Sequence, residues 1–424
     1  MNKTKETFVF GFALFAGFFG AGNLILPPYI GFKAGSDWWL VALGFLISTT
    51  IIPLIALFGH AKLQGTMLDF GKKVSPKFSL VYCIVMFLII VALPAPRTAA
   101  VTHEMAIGPM FGTSPLLTSS IYFGLVLLFV LNRSKALNLL GKYLTPIIVI
   151  MVLTIVVLGL ISPPDTMQLS SLKEPVIDGL LEGYQTYDAI AGIVMGGVIV
   201  ISLNANNTLS YTEIKGVIAR SGIIAMIGLF IIYAGLIALG AQYNGEFPAD
   251  ITRTDLLSGL SKNMLGDIGG TFVSLLVGLA CFTTAVAIVV SLADFFKTLY
   301  ANSQKIYVYV AVICCVAGVI MGSYDVRFII EAAIPALLFL YPISIALIFL
   351  NVLPERWATT PVFRGVVAVT FIFSIPDVIG FIHPSETLST ITSYIPLAQY
   401  SLGWVLPAII AFLVVNSVAT SKKT

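Results

Sequence analysis

The chain has 424 residues, of which 58% are apolar and only 10% are charged, and its mean hydropathy is +1.00. Soluble domains carry about 25% charged residues, so this composition excludes a soluble globular protein. It predicts an all-α polytopic membrane protein embedded in the lipid bilayer. The net charge of +3 does not indicate a nucleic-acid partner.

A sliding window of membrane-spanning length predicts about twelve transmembrane helices. The spans lie near residues 8–31, 38–58, 79–100, 116–131, 144–162, 180–203, 217–241, 269–298, 306–322, 329–350, 363–381 and 397–418. The connections are short, and the longest predicted loops are about 163–179 and 243–268. We therefore expect a single transmembrane domain over residues 1–424.

Lysine and arginine fall mainly on one side of this predicted topology. With both termini in the cytoplasm, 17 of the 23 Lys and Arg residues lie on the inner side and 6 on the outer side. Such a bias sets the orientation of membrane proteins. We expect a multi-pass protein with both termini cytoplasmic.

Glycines interrupt the first span near its middle. Gly17, Gly20 and Gly22 lie within six residues, and Asn23 follows. Glycine is a poor helix former, and backbone freed inside a membrane is tolerated where it lines a cavity or is buried in protein. The break favours a transport site in a secondary transporter. The alternative is a small-residue face that packs against a neighbouring helix.

A second break is predicted in the sixth span, where the polar stretch 182–188 precedes the apolar stretch 190–203. Interrupted spans at corresponding positions of two halves are typical of transport sites. This pattern predicts two inverted repeats of five spans, residues 1–162 and 180–350, with two extra spans in 363–418. The alternative for the sixth span is an extracellular loop with aromatic anchors at the membrane interface.

Polar or charged side chains that can mark a site lie in the third, sixth and eighth spans. The adjacent Thr283 and Thr284 lie inside the eighth span, where hydroxyl groups usually bond back to the preceding helical turn. Arg97 and Asp188 are charged residues within or near predicted spans. Charged residues at membrane depth are costly, so they indicate a functional site by default.

These segments together resemble the branched-chain amino acid:cation symporter family of the bacterial BrnQ type. The resemblance is carried by FGFALF at 10–15, GAGNLILPP at 20–28 and EGYQTYDA at 182–189, and it extends along the whole chain. It implies a LeuT-like fold with broken helices 1 and 6, in the bacterial plasma (inner) membrane. It also implies uptake of leucine, isoleucine and valine coupled to sodium. Members usually have methionine where this chain has Tyr187.

The resemblance to the LeuT-like fold also implies particular site residues. One sodium ion is expected to bind the carbonyl groups of Ala16, Phe19 and Ala280 and the hydroxyl groups of Thr283 and Thr284. A second sodium ion is expected to use the Phe18 carbonyl group, Asn23 and Thr186. The expected substrate contacts are Phe18, Gly20, Ala21, Gly22, Tyr184, Gln185 and Tyr187. The positive N-terminal end of the helix that begins near Ala21 suits the substrate carboxylate.

The leading interpretation is a secondary active symporter that works by alternating access and is not an enzyme. The alternative is a proton-coupled carrier of the same fold for another amino acid or a nucleobase, and ion dependence separates the two. A channel needs a repeated filter or charged rings, and a membrane enzyme needs clustered histidines or carboxylates. The sequence shows neither pattern, and it indicates no obligatory protein partner.

Overall fold

The computed structural model describes residues 3–132, 143–161, 164, 167–204 and 210–421. Every regular element in these ranges is helical, which confirms the predicted all-α class. The α-helices in chain order are α1 (Lys3–Phe18), α2 (Ala21–Ala34), α3 (Trp38–Leu46), α4 (Ile52–Leu63), α5 (Met67–Gly71), α6 (Pro76–Ala92), α7 (Pro94–Thr102), α8 (Gly108–Phe111), α9 (Pro115–Leu131), α10 (Thr145–Ile161), α11 (Pro175–Tyr184), α12 (Asp188–Asn204), α13 (Tyr211–Gln242), α14 (Arg253–Leu265), α15 (Ile268–Leu299), α16 (Gln304–Met321), α17 (Val326–Val352), α18 (Thr360–Ile382), α19 (Glu386–Ser393) and α20 (Val405–Ser421).

The helices agree with a membrane-spanning architecture. In the described part of the chain, seven helical stretches are long and apolar enough to cross a membrane, and eight if α11 and α12 form one broken span. Four further helices, α1, α9, α10 and α20, contain shorter apolar stretches of 10–17 residues. The polytopic membrane class is therefore confirmed, while the count of twelve spans stays a prediction.

Both predicted helix breaks occur. The first lies between α1 and α2, where Gly20 has extended backbone angles of φ −137° and ψ −164°. The second lies between α11 and α12, where Tyr187 has a φ of +65°. Each half of the predicted repeat pair thus begins with an interrupted helix.

The chain divides into two compact units. The first unit comprises residues 1–50, 87–188 and 223–331, and it contains both helix breaks. Within it, α3 and α11 approach closely through glycines. A Cβ atom added to Gly44 would lie 1.8 Å from the Val176 carbonyl oxygen, so only glycine allows this spacing. The contact fixes α11, whose C-terminal end leads into the second break.

The second unit comprises residues 51–86, 189–222 and 332–424. Polar contacts join helices of this unit in its mainly apolar interior. The hydroxyl groups of Tyr82 and Ser344 are 2.7 Å apart, and the Asn351 side chain donates to the Phe70 carbonyl group at 2.9 Å. Hydrogen bonds between helices of this kind stabilise membrane bundles modestly.

Candidate functional site

The first break frees a backbone carbonyl group. In a continuous helix the Gly20 N–H would donate to the Ala16 carbonyl oxygen, four residues earlier. Here it donates instead to Asn23 Oδ1 at 3.0 Å. The break therefore removes the helical partner of one of the carbonyl groups that were predicted to bind sodium.

Four of the predicted sodium ligands lie together beside this break. Thr283 Oγ1 and Thr284 Oγ1 both donate to the Ala280 carbonyl oxygen, at 2.9 and 3.0 Å. Thr284 Oγ1 also lies 3.2 Å from the Phe19 carbonyl oxygen at the end of α1. Both hydroxyl groups thus bond back to their own helix, as the alternative interpretation expected. The Thr284 hydroxyl group in addition contacts the backbone at the first break.

The approach of α15 to the break depends on the absence of a side chain at Gly20. A Cβ atom there would lie 2.6 Å from Thr284 Oγ1 and 2.9 Å from its methyl carbon. Two heavy atoms cannot be accommodated at such distances without a shift in one of the helices. Gly20 therefore allows the hydroxyl group of one helix and the carbonyl group of the other to lie side by side.

Asp188 joins the two breaks through hydrogen bonds. Asn23 Nδ2 donates to both carboxylate oxygens of Asp188 at 3.1 Å, and the Tyr233 hydroxyl group donates to Oδ2 at 3.0 Å. Asn23 Nδ2 also contacts the Tyr233 hydroxyl group. Asp188 is fully buried, and its backbone N–H donates to Thr186 Oγ1 at 3.3 Å. Asn23 and Thr186, two predicted ligands of the second sodium ion, are thus both hydrogen-bonded to Asp188, one at its carboxylate and one at its backbone N–H.

Arg97 contacts the second break and also lies beside the start of α2. Its Nη2 atom donates to the Gln185 carbonyl oxygen at 2.9 Å, and its guanidinium group lies 5.6 Å from the centre of the Tyr187 ring. A Cβ atom added to Gly22 would lie only 2.4 Å from Nη2. The structure therefore brings a buried cation to the two breaks, at the position where the sequence predicted the substrate carboxylate.

The other predicted substrate residues are buried at the breaks. Side chains of Phe18, Ala21, Tyr184, Gln185 and Tyr187 all have less than a tenth of their surface exposed. A cavity of about 990 Å³ lies elsewhere in the first unit. Its lining residues include Tyr29, Glu104, Arg253, Asp325 and Glu331, and none of the predicted site residues.

Sequence reasoning assigned no ligand role to three residues of this region. Arg97 and Asp188 carried a signal, because both are charges at membrane depth, but their partners were not predictable from spacing. Nothing in the sequence indicated a site role for Tyr233, since a tyrosine in an apolar helix is most often a packing residue. Its hydroxyl group matters only because α13 brings it to Asp188.

Comparisons with known proteins agree with one another. A family model described as "Branched-chain amino acid transport protein" matches residues 3–422. The branched-chain amino acid transport system 2 carrier protein of Pseudomonas aeruginosa is 30% identical, over 97% of this chain and 95% of that protein. The branched-chain amino acid permease BraB of Bacillus subtilis is 32% identical, over 97% of this chain and 94% of its own length.

Solved structures resemble this fold at low sequence identity. A Na⁺-coupled sialic acid symporter in a substrate-bound outward-open state aligns with a TM-score of 0.63, at 12% identity, over 97% of this chain and 90% of that one. MhsT in complex with L-phenylalanine aligns with a TM-score of 0.51, at 16% identity, over 96% and 97% of the two chains. These likenesses confirm the predicted LeuT-like fold, and at such identities they show the fold alone.

Proposed function

Because the chain belongs to the branched-chain amino acid transport protein family, we propose that it imports leucine, isoleucine and valine together with sodium by alternating access. As a member of this family it is a membrane transport protein, not an enzyme. We propose that substrate and ion bind at the two helix breaks, between α1 and α2 and between α11 and α12.

One observation carries the sodium proposal. The carbonyl groups of Phe19 and Ala280 and the hydroxyl groups of Thr283 and Thr284 meet beside the first break. Sodium is a hard cation, and hard cations prefer several oxygen ligands. Unwound carbonyl groups and the ends of half-helices are the usual coordinating groups for coupling ions in transporters of this kind. This oxygen cluster fits such an ion, with the Ala16 carbonyl group as the fifth ligand.

A second ion is proposed to bind near Asn23, Thr186 and the Phe18 carbonyl group. Asp188 contacts Asn23 through its buried carboxylate and Thr186 through its backbone N–H. The carboxylate supplies negative charge that the sequence-based ligand set lacked. This same carboxylate favours the second candidate function, a proton-coupled carrier, because buried carboxyl groups at membrane depth serve as proton relays. The two functions differ in which gradient drives uptake.

The substrate is proposed to lie between the two breaks and to contact the backbone of Gly20, Ala21 and Gly22. Tyr184 and Tyr187, both buried, provide an apolar surface for its side chain. One methylene group is worth only about 1–3 kcal/mol in an apolar pocket. We therefore expect modest discrimination among leucine, isoleucine and valine.

Uptake into proteoliposomes tests this proposal directly. Radiolabelled leucine is supplied with an inward sodium gradient alone, an inward proton gradient alone, or neither. Accumulation driven by sodium without a pH difference supports the symporter. Accumulation that follows the proton gradient and ignores sodium contradicts it and supports the proton-coupled carrier.

Replacing the Thr284 hydroxyl group tests the ion site. The Thr284→Val variant keeps the branched shape but removes one oxygen ligand, so the apparent sodium affinity should fall by roughly ten- to a hundredfold, since a lost contact to a charged group costs about 1.5–3 kcal/mol. Thr298→Val is the matched control, because the Thr298 hydroxyl group lies on the same helix and, among the described residues, bonds only to the Phe295 carbonyl group of that helix. Equal sodium dependence in both variants would contradict the assigned site.

A further inference from the structure

We propose that Arg97 binds the α-carboxylate of the transported amino acid. This inference rests on the proposed function, because it assumes that an amino acid enters the site between the breaks. It assigns the charge that recognises the substrate to a side chain of α7, in addition to the N–H groups at the start of α2.

The burial of Arg97 demands an anionic partner. Only 3% of its surface is exposed, and a buried charge is costly unless it is paired and hydrogen-bonded. None of the ion pairs among the described residues includes Arg97. Within the described residues its guanidinium group makes one hydrogen bond, to the neutral carbonyl oxygen of Gln185, and its buried Nε atom has no hydrogen-bond partner.

The two carboxylates of the second break have other partners. Glu182 accepts hydrogen bonds from Arg253, at 2.9 Å from Nη2 and 3.2 Å from Nε. Asp188 accepts from Asn23 and Tyr233. The guanidinium group therefore has no hydrogen-bonded carboxylate among the described residues, although Glu182 and Asp188 are close enough to attract it electrostatically.

A second positive charge lies beside the guanidinium group. Gly22 is the second residue of α2, and a Cβ atom on it would lie 2.4 Å from Arg97 Nη2. The N-terminus of a helix carries a partial positive charge and free N–H groups, which favour an anion. A cation placed there is unfavourable unless an anion lies between the two. The substrate carboxylate is the anion that the proposed function supplies.

The remaining polar atoms suit the same ligand. Gln185 Oε1 and the Tyr187 hydroxyl group are buried and have no hydrogen-bond partner. Buried polar atoms normally have hydrogen-bond partners. Both residues contact Arg97, Gln185 through its carbonyl group and Tyr187 through its ring. A guanidinium group can bind a carboxylate through two parallel hydrogen bonds. The arrangement points to a small carboxylate-bearing ligand with its charged end at Arg97.

Binding of leucine and of leucinamide to the purified protein tests this role. The amide keeps the apolar side chain and the ammonium group but carries no negative charge. The wild-type protein should bind leucinamide roughly 30-fold more weakly than leucine, or worse, as expected for loss of one partner of a buried charge pair. The Arg97→Gln variant should bind leucine as weakly as leucinamide, because the preference for the carboxylate is gone.

The ratio of the two affinities separates recognition from folding. If Arg97 only braces the Gln185 carbonyl group, Arg97→Gln weakens both ligands equally and keeps their ratio, which overturns the inference. The matched control is Arg253→Gln, which removes the same charge where Glu182 pairs with it, and it should keep the ratio. If Arg97→Gln does not yield folded protein, Gly22→Ala decides, since its methyl group displaces the guanidinium group and should reduce the ratio; an unchanged ratio there overturns the inference.

The same measurement distinguishes the two proposals. A wild-type protein that binds both ligands equally contradicts the role of Arg97 and leaves sodium coupling standing. A wild-type protein that prefers leucine, while its binding ignores sodium, contradicts sodium coupling and keeps the role of Arg97.

Discussion

At the scale of single residues, the first break depends on a missing side chain. Gly20 has an extended backbone that any residue can adopt, so conformational freedom does not explain the glycine. Its Cα lies too close to Thr284 for a Cβ atom to fit. Because threonine is branched at Cβ and stiff in a helix, its side chain cannot easily turn away.

A methyl group at Gly20 should therefore separate α1 from α15. We expect Gly20→Ala to destabilise the purified protein by about 1–3 kcal/mol, the usual cost of overpacking. Thr284→Ala makes room for the methyl group, so Gly20→Ala should cost less in that background than in the wild type. A double-mutant cycle on the free energy of unfolding in detergent measures the difference.

Gly278 provides the control for this cycle. It lies on the same helix as Thr284, and a Cβ atom there would meet nothing within 4 Å. Gly278→Ala should be neutral or stabilising, because alanine is about 1 kcal/mol better than glycine inside a helix. Additive effects of Gly20→Ala and Thr284→Ala would show that the contact does not limit the approach of the helices.

Residue patterns predicted one half of the site better than the other. The glycines and Asn23 marked the first break, and the threonine pair marked the oxygen cluster on α15. The backbone of Tyr187 was not predictable, because a bulky residue at a φ of +65° is an outlier that only the surrounding structure can hold. The partners of Asp188 were equally hidden, since Asn23 and Tyr233 are 165 and 45 residues away in sequence.

At the scale of helices, the sequence missed α14. The segment 243–268 was predicted as a loop because its polar residues fail a hydropathy window. It nonetheless contains a helix from Arg253 to Leu265, capped by Thr252, whose hydroxyl group accepts from the Asp255 N–H at 3.1 Å. The helix also has a buried apolar side, which includes Leu256, Leu257 and Leu260. A cap and a short apolar side are local patterns, and averaging hydropathy over a window of membrane-spanning length does not detect them.

An ion pair connects this helix to the second break. Arg253 binds Glu182 of α11 through two nitrogen atoms, lies 4.3 Å from the centre of the Tyr29 ring, and is only about a fifth exposed. We expect Glu182→Gln and Arg253→Gln to show a coupling of about 1 kcal/mol or more in a double-mutant cycle, as for contacting residues in partly buried sites. The unfolding free energy in detergent is the measurement.

The exposed pair of Arg327 and Glu331 sets the baseline for that cycle. Both side chains are mostly in solvent, at 80% and 57% exposure, so their charges are screened and their coupling should be undetectable. If the two pairs couple equally, the contact between α14 and α11 has no special role in holding the second break.

At the scale of the whole molecule, composition alone predicted the membrane class, and the family resemblance of the two break segments implied the LeuT-like fold. The number of spans could not be predicted as firmly, because hydropathy does not show where a long helical stretch divides. The stretch Ala21–Leu63 is one helical run of 43 residues, whereas the sequence placed parts of two spans in it. Orientation likewise depends on the distribution of charge, and the proposed inner-membrane topology needs a separate test.

Cysteine labelling tests the orientation with little background. The native residues Cys83, Cys281, Cys314 and Cys315 are all buried, so an impermeant maleimide should not reach them. The segment around Arg327 is predicted to face the outside and the one around Glu355 the cytoplasm, and both side chains are about 80% exposed. Because cytoplasmic loops carry the excess of lysine and arginine, Arg327→Cys should react in intact cells and Glu355→Cys only after permeabilisation. The reverse labelling pattern would place both termini outside the cell and contradict the predicted topology.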